Sequence, residues 1–308
     1  MKNRGTTLLA VVAADALLAT APPSPLRNSP TMPTFPACIG FIGVGTMNSA
    51  IVRGLCTLPA PPERLVLSPR NAEKAAALAA EFPSLVSVAA TNQAVVDAAD
   101  VVFVGTLPAA TEEVLRALKF RASQTVVSLV STAPLATLQE CAAPCETVVR
   151  AIPLPPVARH VGATIMTPAN AGVAEIFDAL GTAVVVDSEP LMKKMMCVTG
   201  LMGQFYAQQR QTQAFLVAQG VEPAAAAKYV GAIFHSISYD SAAAGVGTFD
   251  ELVHEQTPGG INEQVVRELT EAGAYRALDD TLDGILARIE GRPRPEKRKR
   301  PYESEAMD

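Results

Sequence analysis

Ile39, Gly40, Phe41, Ile42, Gly43, Val44, Gly45, Thr46 and Met47 decide the fold: an apolar run enters closely spaced glycines and leaves toward a helix. Strand, glycine turn and helix in that order are how a backbone grips the pyrophosphate of a dinucleotide. Gly43 permits the tight turn out of the strand, and Gly45 lets the backbone approach the phosphates. Thr46 and Met47 open a helix whose positive end faces them. The pattern's third small residue is missing, because Asn48 stands there.

Downstream, Arg64, Leu65, Val66 and Leu67 predict the second strand of a βαβ unit, followed by Ser68, Pro69, Arg70 and Asn71. A carboxylate at this strand end would hold the 2′-hydroxyl of NAD and repel the 2′-phosphate of NADP. A hydroxyl, a guanidinium and an amide suit the phosphate instead, so NADPH is the expected cofactor and NADH a possible one. The same four residues also form a turn and cap a helix over residues 72–82.

Apolar strand-like runs then alternate with Ala-rich helical stretches: strands over 100–104, 125–130, 147–151 and 184–186, helices over 112–118 and 135–141. Such alternation predicts an α/β fold, a Rossmann-type and mostly parallel sheet covered on both faces. From Pro190 onward the pattern becomes long helical segments rich in Ala, Gln and Met. The expected organisation is a leader over 1–37, a dinucleotide-binding domain over 38–188, an all-helical dimerisation and substrate domain over 189–290, and a basic tail over 291–308.

Composition narrows the function. A chain of 308 residues with 49% apolar content buries a sizeable core. A net charge of -5 argues against nucleic acid as a partner. Cys38, Cys56, Cys141, Cys145 and Cys197 lack metal-ligand spacing, so no metal is expected, and they read as reduced structural residues. His160, His235 and His254 are too scattered to imply a site.

The leader joins Lys2 and Arg4 to an apolar run over 8–19 that Asp15 interrupts, then a Pro-rich stretch. It fits a secretory signal, an organelle presequence, or an upstream extension of a chain starting at Met32. The run is too short to span a membrane, and the cytoplasm is the expected compartment, with mitochondrial, plastid or secretory targeting left open. The tail carries Lys297, Arg298, Lys299 and Arg300, which read either as a nuclear address or as a solvated end.

Seven pieces stand in a telling order along the chain: residues 39–47; residues 101–108; Leu135, Ala136, Thr137, Leu138; Val149, Arg150, Ala151, Ile152, Pro153; Ala179, Leu180, Gly181; Thr257, Pro258, Gly259, Gly260; and Glu271, Ala272, Gly273. Through them the chain, from about Cys38 to Ile289, resembles the pyrroline-5-carboxylate reductase family, whose third strand ends in Lys-Pro where residues 101–108 stand here. The resemblance implies NADPH-dependent reduction of 1-pyrroline-5-carboxylate to proline. It also implies a homodimer or larger homo-oligomer with interlaced helical domains and the substrate pocket where the two domains meet. A protonated cyclic imine accepts hydride directly, so alignment replaces acid–base machinery. Thr106, Leu107 and Pro108 then line the nicotinamide side. Thr199, Gly200, Thr257, Gly259 and Gly260 bind substrate, and Asn262, at a family hydroxyl position, is the candidate catalytic residue. The turn at 257–260 is implied to bind the substrate carboxylate through backbone N–H groups.

Departures gather where substrate should touch. Leu107 replaces a lysine, Leu154 and Pro155 replace Asn and Thr, Leu201 and Met202 fall in a serine-containing run, and Ile261 and Asn262 replace hydroxyl residues. Three functions therefore compete: the family's reaction, reduction of a different cyclic imine or small carbonyl compound, and cofactor binding without catalysis.

Overall fold

The computed structural model describes residues 35–296, so residues 1–34 of the expected leader and the basic cluster at 297–300 lie outside the described residues. The first strand, β1 (Cys38–Ile42), is buried along its whole length. It lies between β2 (Arg64–Leu67) and β4 (Val101–Val104), parallel to both. With β3 (Val86–Val88), β5 (Thr125–Ser128), β6 (Thr147–Ile152), β7 (Ala163–Thr167) and β8 (Thr182–Val185) it forms one eight-stranded sheet in the order β3-β2-β1-β4-β5-β6-β7-β8.

Helices cover both faces, which is why the central strands read as unbroken apolar runs. Ile39 and Phe41 point into one core with α1 (Thr46–Cys56), α2 (Ala72–Glu81) and α6 (Ala171–Ala179). Cys38 and Ile42 point into the other with α3 (Asn92–Ala98), α4 (Thr111–Arg116) and α5 (Leu135–Ala142). Phe41 stacks on Phe103 at 5.2 Å between ring centroids, and Phe103 meets Phe177 edge-on at 6.0 Å.

One strand breaks the parallel pattern: β7 runs antiparallel to β6, with Arg150 opposite Thr167. The connection over residues 153–162 holds only a 3₁₀ turn at Pro155–Arg159, with His160 in the left-handed region at φ 59°. It is too short for the crossover that a parallel neighbour requires. The strand over 101–104 is fourth in chain order rather than third, because the three-residue edge strand β3 precedes it.

After β8 come α7 (Glu189–Met196), a 3₁₀ turn at Cys197–Gly200, α8 (Leu201–Ala218), α9 (Pro223–Asp240), α10 (Thr248–His254), α11 (Ile261–Glu271) and α12 (Ala274–Ile289). α7 and the Cys197–Gly200 turn pack on α12, while α8 packs on α9. Neither α8 nor α11 has a buried residue. Among the described residues, no helix is long and apolar enough to cross a membrane.

Candidate active site

The glycine turn sits where the sheet order reverses, between the carboxyl ends of β1 and β4. Gly43 has φ 83°, and a Cβ there would lie 2.7 Å from the Gly105 carbonyl oxygen, so the position excludes other residues twice over. Its N–H donates to Ser68 Oγ (2.8 Å). Its carbonyl accepts from Gly45 N (3.0 Å) and from Asn48 Nδ2 (2.7 Å), which also reaches Ile42 O at 3.2 Å.

Gly45 differs from Gly43: its φ is an ordinary -92°, and a Cβ would meet nothing closer than Gly105 O at 3.8 Å. The fold does not require glycine there, yet it caps α1 with no side chain over the helix end and no acidic residue in the first turn. The leading N–H groups and the helix dipole are therefore open to an anion. That bare cradle, which a side chain would fill, fits the pyrophosphate of a nucleotide.

Around this cradle the expected residues divide. Asn71 caps α2 through Oδ1, accepting from Lys74 N (3.4 Å), and donates from Nδ2 to Val44 O (3.3 Å), so it braces the glycine turn. Arg70 is exposed and makes no hydrogen bond or ion pair among the described residues. Ser68 corrects the expectation of a phosphate contact: it is 0% exposed. Pairing of β2 with β1 turns its hydroxyl inward onto Gly43 N, so Ser68 supports the turn from behind. Across the crevice, Thr111 Oγ1 donates to Leu107 O (3.1 Å), leaving Thr106 Oγ1 to donate to Thr111 Oγ1 (3.0 Å). This holds Thr106 while Leu107, 70% exposed, and Pro108 face outward at the head of the Pro108–Ala110 turn.

The helical candidates form local clusters. Thr199 Oγ1 donates to Met196 O (2.7 Å), and Gly200 lies against Ile285 of α12. The turn at 257–260 is closed by Gly260 N donating to Thr257 O (2.9 Å), with Pro258 second and Gly259 third at φ 72°, a type II arrangement. Its N–H groups do not converge outward as expected: Gly259 N donates to Glu263 Oε2 (2.6 Å), and Gly260 N is spent within the turn. Asn262 Nδ2 donates to Gln256 Oε1 (2.8 Å). No hydrogen bond among the described residues links these turns to the glycine cradle.

A family model described as NADP oxidoreductase, coenzyme F420-dependent, matches residues 38–134. The pyrroline-5-carboxylate reductase of Escherichia coli is 26% identical over 275 residues, 82% of this chain and 97% of the relative. That of Pseudomonas aeruginosa is 30% identical over 172 residues, and there the match spans 53% of this chain and only 62% of the relative. A pyrroline-5-carboxylate reductase structure from Coxiella burnetii superposes with a TM-score of 0.72 at 20% identity, covering 82% of this chain and 97% of that one. Over most of its length the chain is therefore similar in sequence to pyrroline-5-carboxylate reductases and shares their fold.

Beside that likeness, the structure shows supports to which the sequence assigned no role. Arg150, buried on β6, pairs with Glu189 at the start of α7 and donates from Nη2 to Ser131 O (2.7 Å). Glu189 Oε1 also accepts Leu135 N (2.8 Å), tying α7 to the start of α5. The signal was a lone arginine inside an apolar strand. All five cysteines are free thiols. Burial, then the nearby Glu81 carboxylate, pushes the Cys56 thiol up to about 12, and burial raises Cys141, Cys145 and Cys197, so these thiols resist ionisation. Among the described residues no three His, Cys, Asp or Glu side chains could hold a metal.

Proposed function

We propose that the chain is an NADPH-dependent reductase of cyclic imines, with 1-pyrroline-5-carboxylate as first substrate and proline as product. The observation that carries the reading is Gly45, a glycine that the fold does not require, at an uncapped helix start beside the point of strand-order reversal. The relatives are pyrroline-5-carboxylate reductases by name, and the matching family model is described as an NADP oxidoreductase.

Gly43, Gly45, Thr46 and Met47 would hold the pyrophosphate, Arg70 and Asn71 the adenosine side, and Thr106, Leu107 and Pro108 the nicotinamide side. Bound NADPH supplies hydride. Residues 43–47, 68–71 and 105–108 contain no Asp, Glu or His, so the chain offers no general acid there. An imine basic enough to carry its own proton needs none. Positioning then falls to the segment over 38–188 for the nucleotide and to the helices over 189–290 for the imine, with Thr199, Gly200, Thr257, Gly259, Gly260 and Asn262 as substrate contacts completed in a homodimer.

A second reading, an imine without a carboxylate, is favoured by one observation: the Glu263 carboxylate already accepts the Gly259 N–H that a substrate carboxylate would use. The test is NADPH oxidation by the chain from Met32 onward with 1-pyrroline-5-carboxylate, 1-pyrroline and a short panel of other cyclic imines. Turnover of the first supports the family reaction, turnover of 1-pyrroline alone supports the second reading, and NADPH binding with no turnover of any imine overturns both.

A further inference from the structure

The geometry points to Asn48 as a positioning residue for the nucleotide, matched to Gly105 across the crevice; this inference rests on the reading of residues 43–45 as the nucleotide turn. Asn48 is 1% exposed in the first turn of α1. Its Nδ2 forks onto two successive carbonyls, Ile42 O (3.2 Å) and Gly43 O (2.7 Å). Both carbonyls already have backbone donors, Gly105 N to Ile42 O (2.9 Å) and Gly45 N to Gly43 O (3.0 Å), so the amide is not needed to satisfy them. Meanwhile Asn48 Oδ1 is buried with no hydrogen-bond partner among the described residues, an arrangement that disfavours folding. A side chain that supplies dispensable bonds and leaves its own carbonyl unpaired is explained by what it fixes.

What it fixes is the Gly43 peptide. The N–H of that peptide is held by Ser68 and its carbonyl by Asn48, so the turn is clamped from both sides just before Gly45. The same side chain fills the space beside Gly105: a Cβ there would lie 2.7 Å from Asn48 Nδ2 and 3.0 Å from Asn48 Cγ. Gly105 leads into Thr106 and Leu107 on the nicotinamide side. Asn48 thus sets the spacing between the two loops that the nucleotide must bridge, so less ordering is left to occur on binding.

The test is a double-mutant cycle on the full chain with Asn48→Ala, Gly105→Ala and the pair, reading the NADPH dissociation constant and the melting temperature of each. Asn48→Ala is expected to melt within a few degrees of the unsubstituted chain or above it, while NADPH binding weakens by about tenfold. A purely structural role would move both readings together. Gly105→Ala is expected to weaken NADPH by more than about tenfold alone and by less than about threefold beside Asn48→Ala, because the opposing amide is gone. Should Gly105→Ala fail to fold, folding of the pair reports the same coupling and its failure overturns the inference. Equal losses in both backgrounds, or unchanged NADPH affinity in Asn48→Ala, overturn it with the cofactor reading intact. Binding of neither NADPH nor NADH by the unsubstituted chain overturns the cofactor reading and this inference with it.

Discussion

Arg70 stands exposed beyond the carboxyl end of β2, with no hydrogen bond or ion pair among the described residues, next to an asparagine already engaged in capping α2 and bracing the glycine turn. A guanidinium so placed is available to a phosphate, and a charge-assisted contact contributes about 1.5–3 kcal/mol. Arg70→Asp is therefore expected to weaken NADPH by about 10- to 100-fold and NADH much less; equal losses for both nucleotides would remove the phosphate assignment. Glu263 poses the opposite case, a charge already placed where a substrate carboxylate is proposed to bind. Its Oε1 has Arg267 Nη1 at 3.7 Å, too far and too exposed to neutralise it. Glu263→Gln keeps an acceptor for Gly259 N but removes the charge. It is expected to raise kcat/KM for 1-pyrroline-5-carboxylate by about 3- to 30-fold and to leave 1-pyrroline unchanged. A parallel change for both imines would place Glu263 outside the carboxylate site.

Among the elements, those buried on both faces were legible and those at the margins were not. β1, β2 and β4 announce themselves as runs of three to five apolar residues followed by Gly or Ser, because helices on either side bury both faces of these runs. β3 is three residues long with Ser87 at its centre, and β7 interleaves threonines with apolar residues, so neither carries a periodic signal. The cradle itself was readable from glycine spacing. Ser68, Asn48 and Glu263 were not, since each acts through a hydrogen bond whose direction depends on how neighbouring strands or turns pack. The same holds for the node that joins elements: Arg150 on β6, Ser131 before α5, Leu135 at its start and Glu189 opening α7 meet only in the folded chain. Arg150 is 3% exposed at its side chain and Glu189 28%. Removing the carboxylate would leave a buried charge unpaired. Glu189→Ala is expected to cost about 3 kcal/mol, whereas Arg150→Met with Glu189→Leu should cost less than that single change. Urea unfolding midpoints measure both, and a double variant less stable than Glu189→Ala would show that the pair contributes more than mutual neutralisation.

At the scale of the whole molecule, the sheet region is closed and the helical region is open. Tyr229, Ile233 and Ile237 form a stripe at four-residue spacing along α9, with exposures of 63%, 39% and 62%. On its neighbour α8, Phe205, Tyr206 and Phe215 are likewise exposed. An 18-residue helix with no buried residue gains little from its own chain, and helices of this kind owe their stability to packing of an apolar face. Apolar patches of this extent mark interaction surfaces, and a second copy of the chain is the occupant proposed above. Each such side chain, when fully buried at an interface, contributes about 1.5–3 kcal/mol, so one charge placed in the stripe, present twice in a symmetric dimer, should weaken association by at least about 100-fold. The unsubstituted chain is expected to run as a homodimer or larger assembly in light scattering, and Ile237→Glu as a monomer. Nucleotide and imine should then part company. Residues 43–47, 70–71 and 106–108 all extend from one sheet, so the monomer should keep its NADPH affinity. Turnover should fall if the helices of two chains complete the imine pocket. A monomeric Ile237→Glu with full turnover would confine the pocket to one chain, and a variant that still dimerises would move the interface off the α9 stripe.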